Sequence, residues 1–191
     1  MMSRKGTIVV VSAPSGGGKD TIIGKVLERD KEIVHSVSAT TRQPRNNEKN
    51  GIHYWFMDVD EFMENVDKEA FIEWAEVHGH LYGTLHSEVD KQLNQGLDVV
   101  LELDIKGKRS VKEAEPNVKT IFIEPPSLEV LEQRIRDRGG LKDHEIKTRL
   151  RNAEFELQAK DEYDYIILND ILEDAVNDFR RILEELRNNG S

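Results

Sequence analysis

TIVVVSAPSGGGKDT, at residues 7–21, joins an apolar run to three glycines and a lysine. The run at residues 8–11 is β-branched throughout, which is typical of a central strand buried on both faces of a parallel sheet. A glycine-rich turn between such a strand and a helix predicts a phosphate-binding P-loop, because backbone N–H groups can approach phosphate oxygens there. Lys19 and the positive end of the helix dipole add charge at the same point. The alternative, a glycine-rich turn with a solvated lysine, explains fewer of these features together.

Two positions depart from the usual P-loop pattern, G-x-x-x-x-G-K-[ST]. Ala13 replaces the first glycine, and Asp20 stands where the magnesium-binding hydroxyl is expected, so that the hydroxyl comes one residue late at Thr21. A carboxylate beside a polyphosphate is unfavourable unless a cation lies between them. Asp20 and Thr21 are therefore the candidate magnesium ligands.

The composition is that of a globular domain, with 191 residues of which 37% are hydrophobic and 34% are charged. A net charge of −10 argues against a protein that coats nucleic acid or an anionic membrane. The sequence has no cysteine, so disulfides and thiolate chemistry are excluded. The first apolar run is too short for a signal peptide or a membrane span, so we expect a cytoplasmic protein. We also expect the protein to be a monomer or a homodimer.

Strand and helix patterns alternate along the chain, which predicts a single α/β domain, residues 1–191, with a central parallel sheet. Residues 38–51 contain almost no apolar side chain and are predicted to form a long loop. Residues 38–95 are expected to form a small mixed α/β subdomain inserted between core residues 1–37 and 96–191. Its predicted elements are a strand at 53–57, a helix at 59–66 with Phe62 and Met63 inward, a strand at 71–77, a turn at 79–84 and a helix capped by Ser87.

Two groups of charged residues stand out in this arrangement. Arg42 and Arg45 flank a proline in the long loop, where two guanidinium groups held close together can clamp a phosphate, and a solvated basic loop fits the spacing equally well. Glu102 and Asp104 lie at the end of a buried strand predicted at 97–103. An acidic group there, near a P-loop, is well placed to organise magnesium.

Two further helices are predicted at residues 128–137, after the capping residue Ser127, and from about 143 to 159. Both bear arginines, and two glycines at 139 and 140 separate them. A glycine hinge between arginine-bearing helices is typical of a mobile helical lid, here about residues 134–151, that brings positive charge onto a phosphoryl group. Solvated arginines near a helix C-terminus are the alternative interpretation.

SVSATTRQPR, at residues 36–45, is the most specific of several segments that match one family in register. It matches S-x-S-x-T-T-R-x-P-R, and through this signature the chain resembles the guanylate kinases, which belong to the P-loop nucleoside monophosphate kinases. The resemblance extends from about residue 7 to 186 and implies a three-layer P-loop fold with an inserted GMP-binding subdomain and a lid. The other matching segments are NGIHY (50–54), FIEWAEVHGHLYGT (71–84), LELDIKG (101–107), IFIEPPS (121–127) and LND (168–170).

The resemblance implies transfer of the terminal phosphoryl group of ATP to GMP, with Mg²⁺ as cofactor, in purine nucleotide metabolism. It implies that GMP is bound by Ser38, Arg42, Arg45, Tyr54, Glu73, Tyr82, Thr84, Glu102 and Asp104. It implies that ATP is bound by Ala13, Pro14, Ser15, Gly16, Gly17, Gly18, Lys19, Asp20, Thr21, Arg134 and Asn169. The residues expected to act in catalysis are Lys19, Arg42, Arg138 and Arg149.

Two other functions remain open at this point. A related P-loop kinase for another phosphorylated small molecule would have no use for Ser38, Glu73 and Thr84, which serve the guanine base in the family. A guanylate-kinase-like module that binds a phosphorylated peptide would need neither Lys19 nor the lid arginines. Coupled ADP-release assays with GMP, with AMP and without an acceptor distinguish all three functions.

Overall fold

The structure, a computed structural model, describes residues 4–77, 79–137 and 139–189. Its strands are β1 (Ile8–Ser12), β2 (Ile33–His35), β3 (Ala39–Thr40), β4 (Trp55–Phe56), β5 (Phe71–Val77), β6 (His80–Leu85), β7 (Asp98–Glu102), β8 (Lys119–Glu124) and β9 (Tyr165–Leu168). Its helices are α1 (Lys19–Arg29), α2 (Val59–Asp67), α3 (His86–Asn94), α4 (Ile105–Ala114), α5 (Leu128–Asp137), α6 (Asp143–Gln158) and α7 (Leu172–Asn189), with a 3₁₀ turn at Lys160–Glu162.

The larger sheet has five strands in the order β2-β7-β1-β8-β9. The pairs β2–β7, β1–β8 and β8–β9 are parallel, and Val9 lies opposite Lys119 in the β1–β8 pair. Val9, Val10 and Val11 are completely buried, as expected for a strand covered on both faces. The predicted α/β class and its central parallel sheet are confirmed.

Contacts divide the chain into two compact units. The first unit holds residues up to Ile8 together with Glu32–Leu101 and Lys106–Val118. The second holds Val9–Lys31, Glu102–Ile105 and the residues from Lys119 onward. Within the described ranges, no helix is both long enough and apolar enough to cross a lipid bilayer.

The smaller sheet, in the first unit, has the order β4-β3-β6-β5. It is mixed, because β3 pairs in parallel with β4 and antiparallel with β6, and β5 and β6 are antiparallel. Its core is formed by Ala39, Phe62 and Phe71, and the two phenyl rings stack at 4.4 Å between centroids. This sheet confirms the expected small mixed α/β part of the fold. The exact boundaries of the insertion and the lid remain predictions.

Two predictions about this sheet are wrong. The segment predicted as a turn at 79–84 is mostly strand β6, which pairs with β3 on one side and β5 on the other. Gly83 suits this strand because a Cβ there would lie 2.8 Å from the Phe71 ring and 3.0 Å from the Glu73 carbonyl oxygen. Likewise, the predicted loop at 38–51 contains strand β3, since the backbone N–H groups of Trp55 and Met57 donate to the carbonyls of Ser38 and Thr40.

Two smaller predictions also fail for tertiary reasons. Helix α3 begins at His86, before the predicted cap Ser87, because the Ala70 carbonyl accepts the first backbone N–H of the helix. Phe62 is fully buried in α2, whereas Met63 is 39% exposed. Consecutive helical residues point about 100° apart, so only one of them faces this narrow core.

Candidate active site

The P-loop connects β1 to α1 in the second unit. Its glycines Gly16 and Gly18 have φ angles of 89° and 90°, which side-chain-bearing residues rarely adopt. Within the loop, the Gly17 N–H donates to the Pro14 carbonyl at 2.8 Å. Helix α1 then begins at Lys19, with Asp20 in its first turn. The backbone conformation is therefore that of a strand–glycine turn–helix, as the sequence predicts.

Three elements of the second unit hold consecutive residues of the loop. Helix α5 packs so closely that a Cβ on Gly16 would lie 2.9 Å from Ile135. The Asn169 side chain, which follows β9, donates to the Gly17 carbonyl at 2.7 Å and is only 5% exposed. From α6, the Arg149 guanidinium donates to the Ser15 hydroxyl at 3.0 Å. The structure thus brings Asn169 and Arg149, both predicted from the sequence, to the P-loop.

Lys19 donates to the Glu102 carboxylate at the end of β7 and forms an ion pair with it. The Asp20 carboxylate lies 3.9 Å from the Lys19 ammonium, and its side chain is 77% exposed. The carboxylates of Asp20 and Glu102 therefore both lie next to the Lys19 ammonium, which is the full positive charge that the P-loop sequence supplies. Glu102 was predicted to organise magnesium or to bind GMP, and its pairing with Lys19 was not foreseen.

A cavity of about 390 Å³ opens beside the P-loop. The Arg134 guanidinium, one of its walls, donates to the Asn169 carbonyl at 3.0 Å, which links the cavity wall to the residue that braces Gly17. The opening has the size of a small-ligand site. The lining combines planar polar side chains, one hydroxyl and one apolar side chain. The lining residues are Gly16, Gly18, Thr21, Arg134, Asp137, Asn169 and Leu172.

In the first unit, Arg42 forms the centre of a polar and aromatic cluster. Both terminal nitrogens of its guanidinium donate to the Glu48 carboxylate, at 2.9 and 2.8 Å. Its Cζ lies 5.3 Å from the Tyr54 ring centroid, and the Tyr54 and Tyr82 rings meet edge-on at 6.0 Å. Hydrogen bonds to Glu48 and then to Tyr82 raise the pKa of Arg42. The structure therefore gathers three of the predicted phosphate-binding residues.

Glu48 organises the loop that carries both predicted arginines. Its carboxylate accepts the Arg42 guanidinium and also the backbone N–H of Arg45, at 2.8 Å. These hydrogen bonds lower its pKa from 4.5 to about 2. Sequence reasoning missed Glu48. Its spacing of six residues from Arg42 and three from Arg45, across a proline, was the available signal.

A second polar pair lies between β5 and β6. A β-bulge between Phe71 and Glu73 shifts the register so that Glu73 lies opposite Thr84. The Thr84 hydroxyl donates to the Glu73 carboxylate at 2.8 Å, and Thr84 is almost fully buried. A bulge re-aims a side chain relative to its neighbours on the strand. Here it orients Glu73 and leaves both Phe71 and Ile72 in the core.

The remaining predicted residues lie as follows. Ser38 is half-buried just before β3, where its carbonyl accepts the Trp55 N–H at 2.9 Å, and Arg45 is exposed. Asp104 is an exposed residue between β7 and α4 in the second unit. Arg138 lies outside the described residues. Among the described residues, no group of three or more His, Cys, Asp or Glu side chains could hold a metal ion.

The family model described as "Guanylate kinase" matches residues 5–186. The chain belongs to the guanylate kinase family. A guanylate kinase of Thermotoga maritima is 48% identical over 172 residues, which cover 90% of this chain and 83% of the relative. A guanylate kinase of Carboxydothermus hydrogenoformans is 46% identical over 179 residues, covering 94% of this chain and 88% of the relative.

A comparison with solved structures also finds a guanylate kinase. The crystal structure of guanylate kinase from Anaplasma phagocytophilum superposes with a TM-score of 0.74 at 33% identity, covering 97% of this chain and 88% of that chain. The match to the guanylate kinase family therefore includes both compact units, with the P-loop and the small mixed sheet.

Proposed function

We propose that this protein transfers the terminal phosphoryl group of ATP to GMP, giving ADP and GDP. The observation that carries the proposal is the Glu73–Thr84 pair, oriented by a β-bulge in the same small sheet as the Arg42 cluster. A carboxylate and hydroxyls beside an arginine–tyrosine cluster are the groups that a guanine base and a phosphate require. In a guanylate kinase family member, they specify the acceptor nucleotide.

The acceptor is recognised through its base and its phosphate. Guanine presents N1–H and N2–H₂ donors side by side, and the Glu73 carboxylate can accept both. Guanine O6 accepts a hydrogen bond from a hydroxyl, for which Ser38 and Thr84 are the candidates, and Asp104 is the further candidate for the base. Adenine would place its N1 acceptor against Glu73, and an unpaired buried polar group costs about 1–3 kcal/mol.

The phosphate of GMP is held by guanidinium and phenol groups. Arg42 and Arg45 supply charge-assisted hydrogen bonds, and arginine forks match phosphate oxygens well. Tyr54 and Tyr82 supply neutral hydroxyl donors beside them. The ion pair with Glu48 holds the Arg42 fork in place, so that less conformational entropy is lost when the phosphate binds.

ATP is bound by the P-loop and the neighbouring cavity. Backbone N–H groups of residues 16 and 18–21 surround the outer phosphates, and Lys19 adds a full positive charge. The planar Arg134 guanidinium can stack on the adenine ring, and Asn169 lines the same cavity. Mg²⁺ is usually bound through substrate phosphates, waters and one or two protein oxygens. The Asp20 carboxylate and the Thr21 hydroxyl are oxygen donors that fit this requirement, and the ion offsets phosphate charge when it is bound.

The transfer itself needs two phosphates in line and negative charge offset, and it needs no general base. Lys19, Arg138 and Arg149 supply that charge. Movement of the α5–α6 segment over the nucleotides excludes water, since water would otherwise accept the phosphoryl group. We further propose that the reaction serves purine nucleotide metabolism and that the protein acts in the cytoplasm, as a monomer or a homodimer.

A coupled ADP-release assay tests the proposal. With Mg-ATP, we expect rapid ADP release with GMP, little with AMP and almost none without an acceptor. The specificity ratio reports the base contacts, and the reaction without acceptor reports how well water is excluded. If GMP does not stimulate ADP release above the rate without acceptor, the proposed function is wrong.

A further inference from the structure

The side chain of Asn169, the residue that follows β9, packs against two consecutive glycines of the P-loop. Its Nδ2 atom donates to the Gly17 carbonyl oxygen at 2.7 Å. A Cβ on Gly18 would lie 2.3 Å from the same nitrogen, so the amide group lies directly against the backbone of both glycines. Since a carbonyl oxygen can only accept a hydrogen bond, it is the NH₂ group of the amide that faces the loop.

Asn169 is itself held in place through its backbone. Its N–H donates at 2.7 Å to the carbonyl of Glu124, the last residue of β8. Its carbonyl accepts from the Arg134 guanidinium of α5 at 3.0 Å, and the residue is 5% exposed. A buried residue that is hydrogen-bonded at three points has little freedom left, so Asn169 presents its NH₂ group to the loop in one direction.

The hydrogen bond from Asn169 fixes the orientation of the peptide group between Gly17 and Gly18. This peptide is trans, and the C=O and N–H bonds of a planar trans peptide point in opposite directions. Because the Gly17 carbonyl is turned towards Asn169, the Gly18 N–H is turned away from it. A peptide between two glycines rotates easily, and without the hydrogen bond it could direct a carbonyl to the place where an anion requires an N–H.

The preceding peptide group makes the Gly18 N–H especially important. The Gly17 N–H donates to the Pro14 carbonyl at 2.8 Å inside the loop, and it is therefore already used. The next N–H along the loop is that of Gly18, whose direction depends on the contact between Gly17 and Asn169.

We propose that Asn169 is a positioning residue for the phosphoryl donor, whose amide holds the Gly17–Gly18 peptide so that the Gly18 N–H faces the donor phosphates. The proposal rests on the proposed ATP-dependent reaction, because that reaction assigns the P-loop to the donor. Asn169 acts on the phosphates through Gly17. Loss of its NH₂ group therefore weakens the binding of a polyphosphate with or without a base attached, and it leaves GMP binding unchanged.

The test separates the phosphates from the base with two probes, Mg-ATP and Mg-tripolyphosphate, an inorganic chain of linked phosphates that has no base. The variants are Asn169→Ala and Asn169→Asp, and the second keeps the shape of the side chain but replaces the NH₂ donor with an acceptor oxygen. The controls are Asn177→Ala and Asn177→Asp, at an exposed position on α7. Calorimetry at pH 8, well above the usual pKa of a carboxyl group, gives the Kd of each probe and of GMP, and thermal unfolding gives Tm.

Loss of one buried hydrogen bond predicts about a tenfold rise in the Kd of both probes in Asn169→Ala. The rise should be larger in Asn169→Asp, because a carboxylate oxygen repels the Gly17 carbonyl. In each variant, the fold-change for Mg-tripolyphosphate should agree with that for Mg-ATP within about threefold. The Kd of GMP should stay at the wild-type value, and the Asn177 variants should match the wild type with every ligand.

A rise in the Kd of Mg-ATP without a rise for Mg-tripolyphosphate would show that Asn169 contacts the base, and it would overturn the proposal. The same holds for an unchanged Kd of both probes, for a lower Tm with an equal rise in the Kd of GMP, and for a wild type that does not bind Mg-tripolyphosphate. None of these measurements depends on turnover. A wild type without GMP-stimulated ADP release would reject the proposed function, and the Kd values would still decide the role of Asn169.

Discussion

Single side chains of the first unit hold the candidate binding residues in fixed orientations. Arg42 is held by Glu48 and lies over Tyr54, so its guanidinium is oriented by the protein itself. Glu73 is oriented in the same way by the Thr84 hydroxyl. A preorganised charged group loses less entropy on binding than a free one. The specificity of the site should therefore depend on individual contacts that can be removed one at a time.

Replacing Glu73 with Gln tests how the base is recognised. One amide oxygen can accept only part of what two carboxylate oxygens accept, and the amide NH₂ faces a guanine donor. We expect kcat/KM for GMP to fall about 10–100-fold, with little change for AMP. Glu76→Gln, at an exposed position on the same strand, is the control. An equal loss for both nucleotides would contradict the assignment of Glu73 to the base.

The Arg42–Glu48 pair has a predictable pH dependence. The folded-state pKa of Glu48 is lowered from 4.5 to about 2, so its contribution to stability is complete above pH 4.5 and is lost as the pH falls towards 2. The difference in unfolding free energy between the wild type and Glu48→Gln, measured by denaturant titration, should shrink across that window. A difference that stays constant between pH 5 and pH 2 would show that the pair does not stabilise the fold.

The β5–β6 hairpin decides where Glu73 and Thr84 lie, the two residues that we propose to recognise the base. Its bulge sets Glu73 opposite Thr84, and Gly83 lets the Phe71 ring lie directly against the β6 backbone. Close packing of this kind is sensitive to added volume, because interiors have few voids. The hairpin thus couples the hydrophobic core of the small sheet to the geometry of the candidate site.

Gly83→Ala tests this coupling. Its Cβ would lie 2.8 Å from Phe71 and 3.0 Å from the Glu73 carbonyl, so we expect about 1–3 kcal/mol of destabilisation and a raised KM for GMP. The matched control is Gly24→Ala in α1, where a Cβ would contact nothing within 4 Å. That change should stabilise the fold by about 0.5–1 kcal/mol through helix propensity. Similar effects from both variants would argue against the close contact at Gly83.

Across the whole molecule, the two candidate binding sites rest on separate compact units. The arginine–tyrosine cluster and the Glu73–Thr84 pair belong to the first unit, and the P-loop with its cavity belongs to the second. Each ligand should therefore stabilise the fold through its own set of residues. Variants of the two sets can be distinguished by binding alone, without turnover.

Ligand-induced thermal shifts provide that measurement. At a concentration of 100 times Kd, a ligand that binds only the folded state adds about 2.7 kcal/mol of stability. We expect Arg45→Ala to reduce the shift with GMP and keep the shift with Mg-ATP, and Lys19→Ala to show the reverse. Lys147→Ala, at an exposed position on α6, should keep both shifts. Equal losses with both ligands in either test variant would contradict the proposed division of the residues.

Local patterns in the sequence were sufficient to predict the α/β class and the central parallel sheet. The β-branched run of β1, the glycines before Lys19 and the alternation of strands and helices predicted the central parallel sheet, because burial on both faces and positive φ angles leave local signatures. The paired arginines and the matching family segments predicted the residue types that gather around Arg42. These features depend on neighbours in the chain, and the sequence contains them directly.

Only the tertiary structure decided which side chains meet over long distances. Strand β6 resembled a turn, and its pairing with β3 involves residues more than 40 positions earlier in the chain. The same holds for Glu102 at Lys19, for Asn169 at Gly17 and for Arg149 at Ser15, which are separated from their partners by more than 80 residues. Such contacts depend on the packing of whole elements, whose relative positions leave no periodic trace in the sequence.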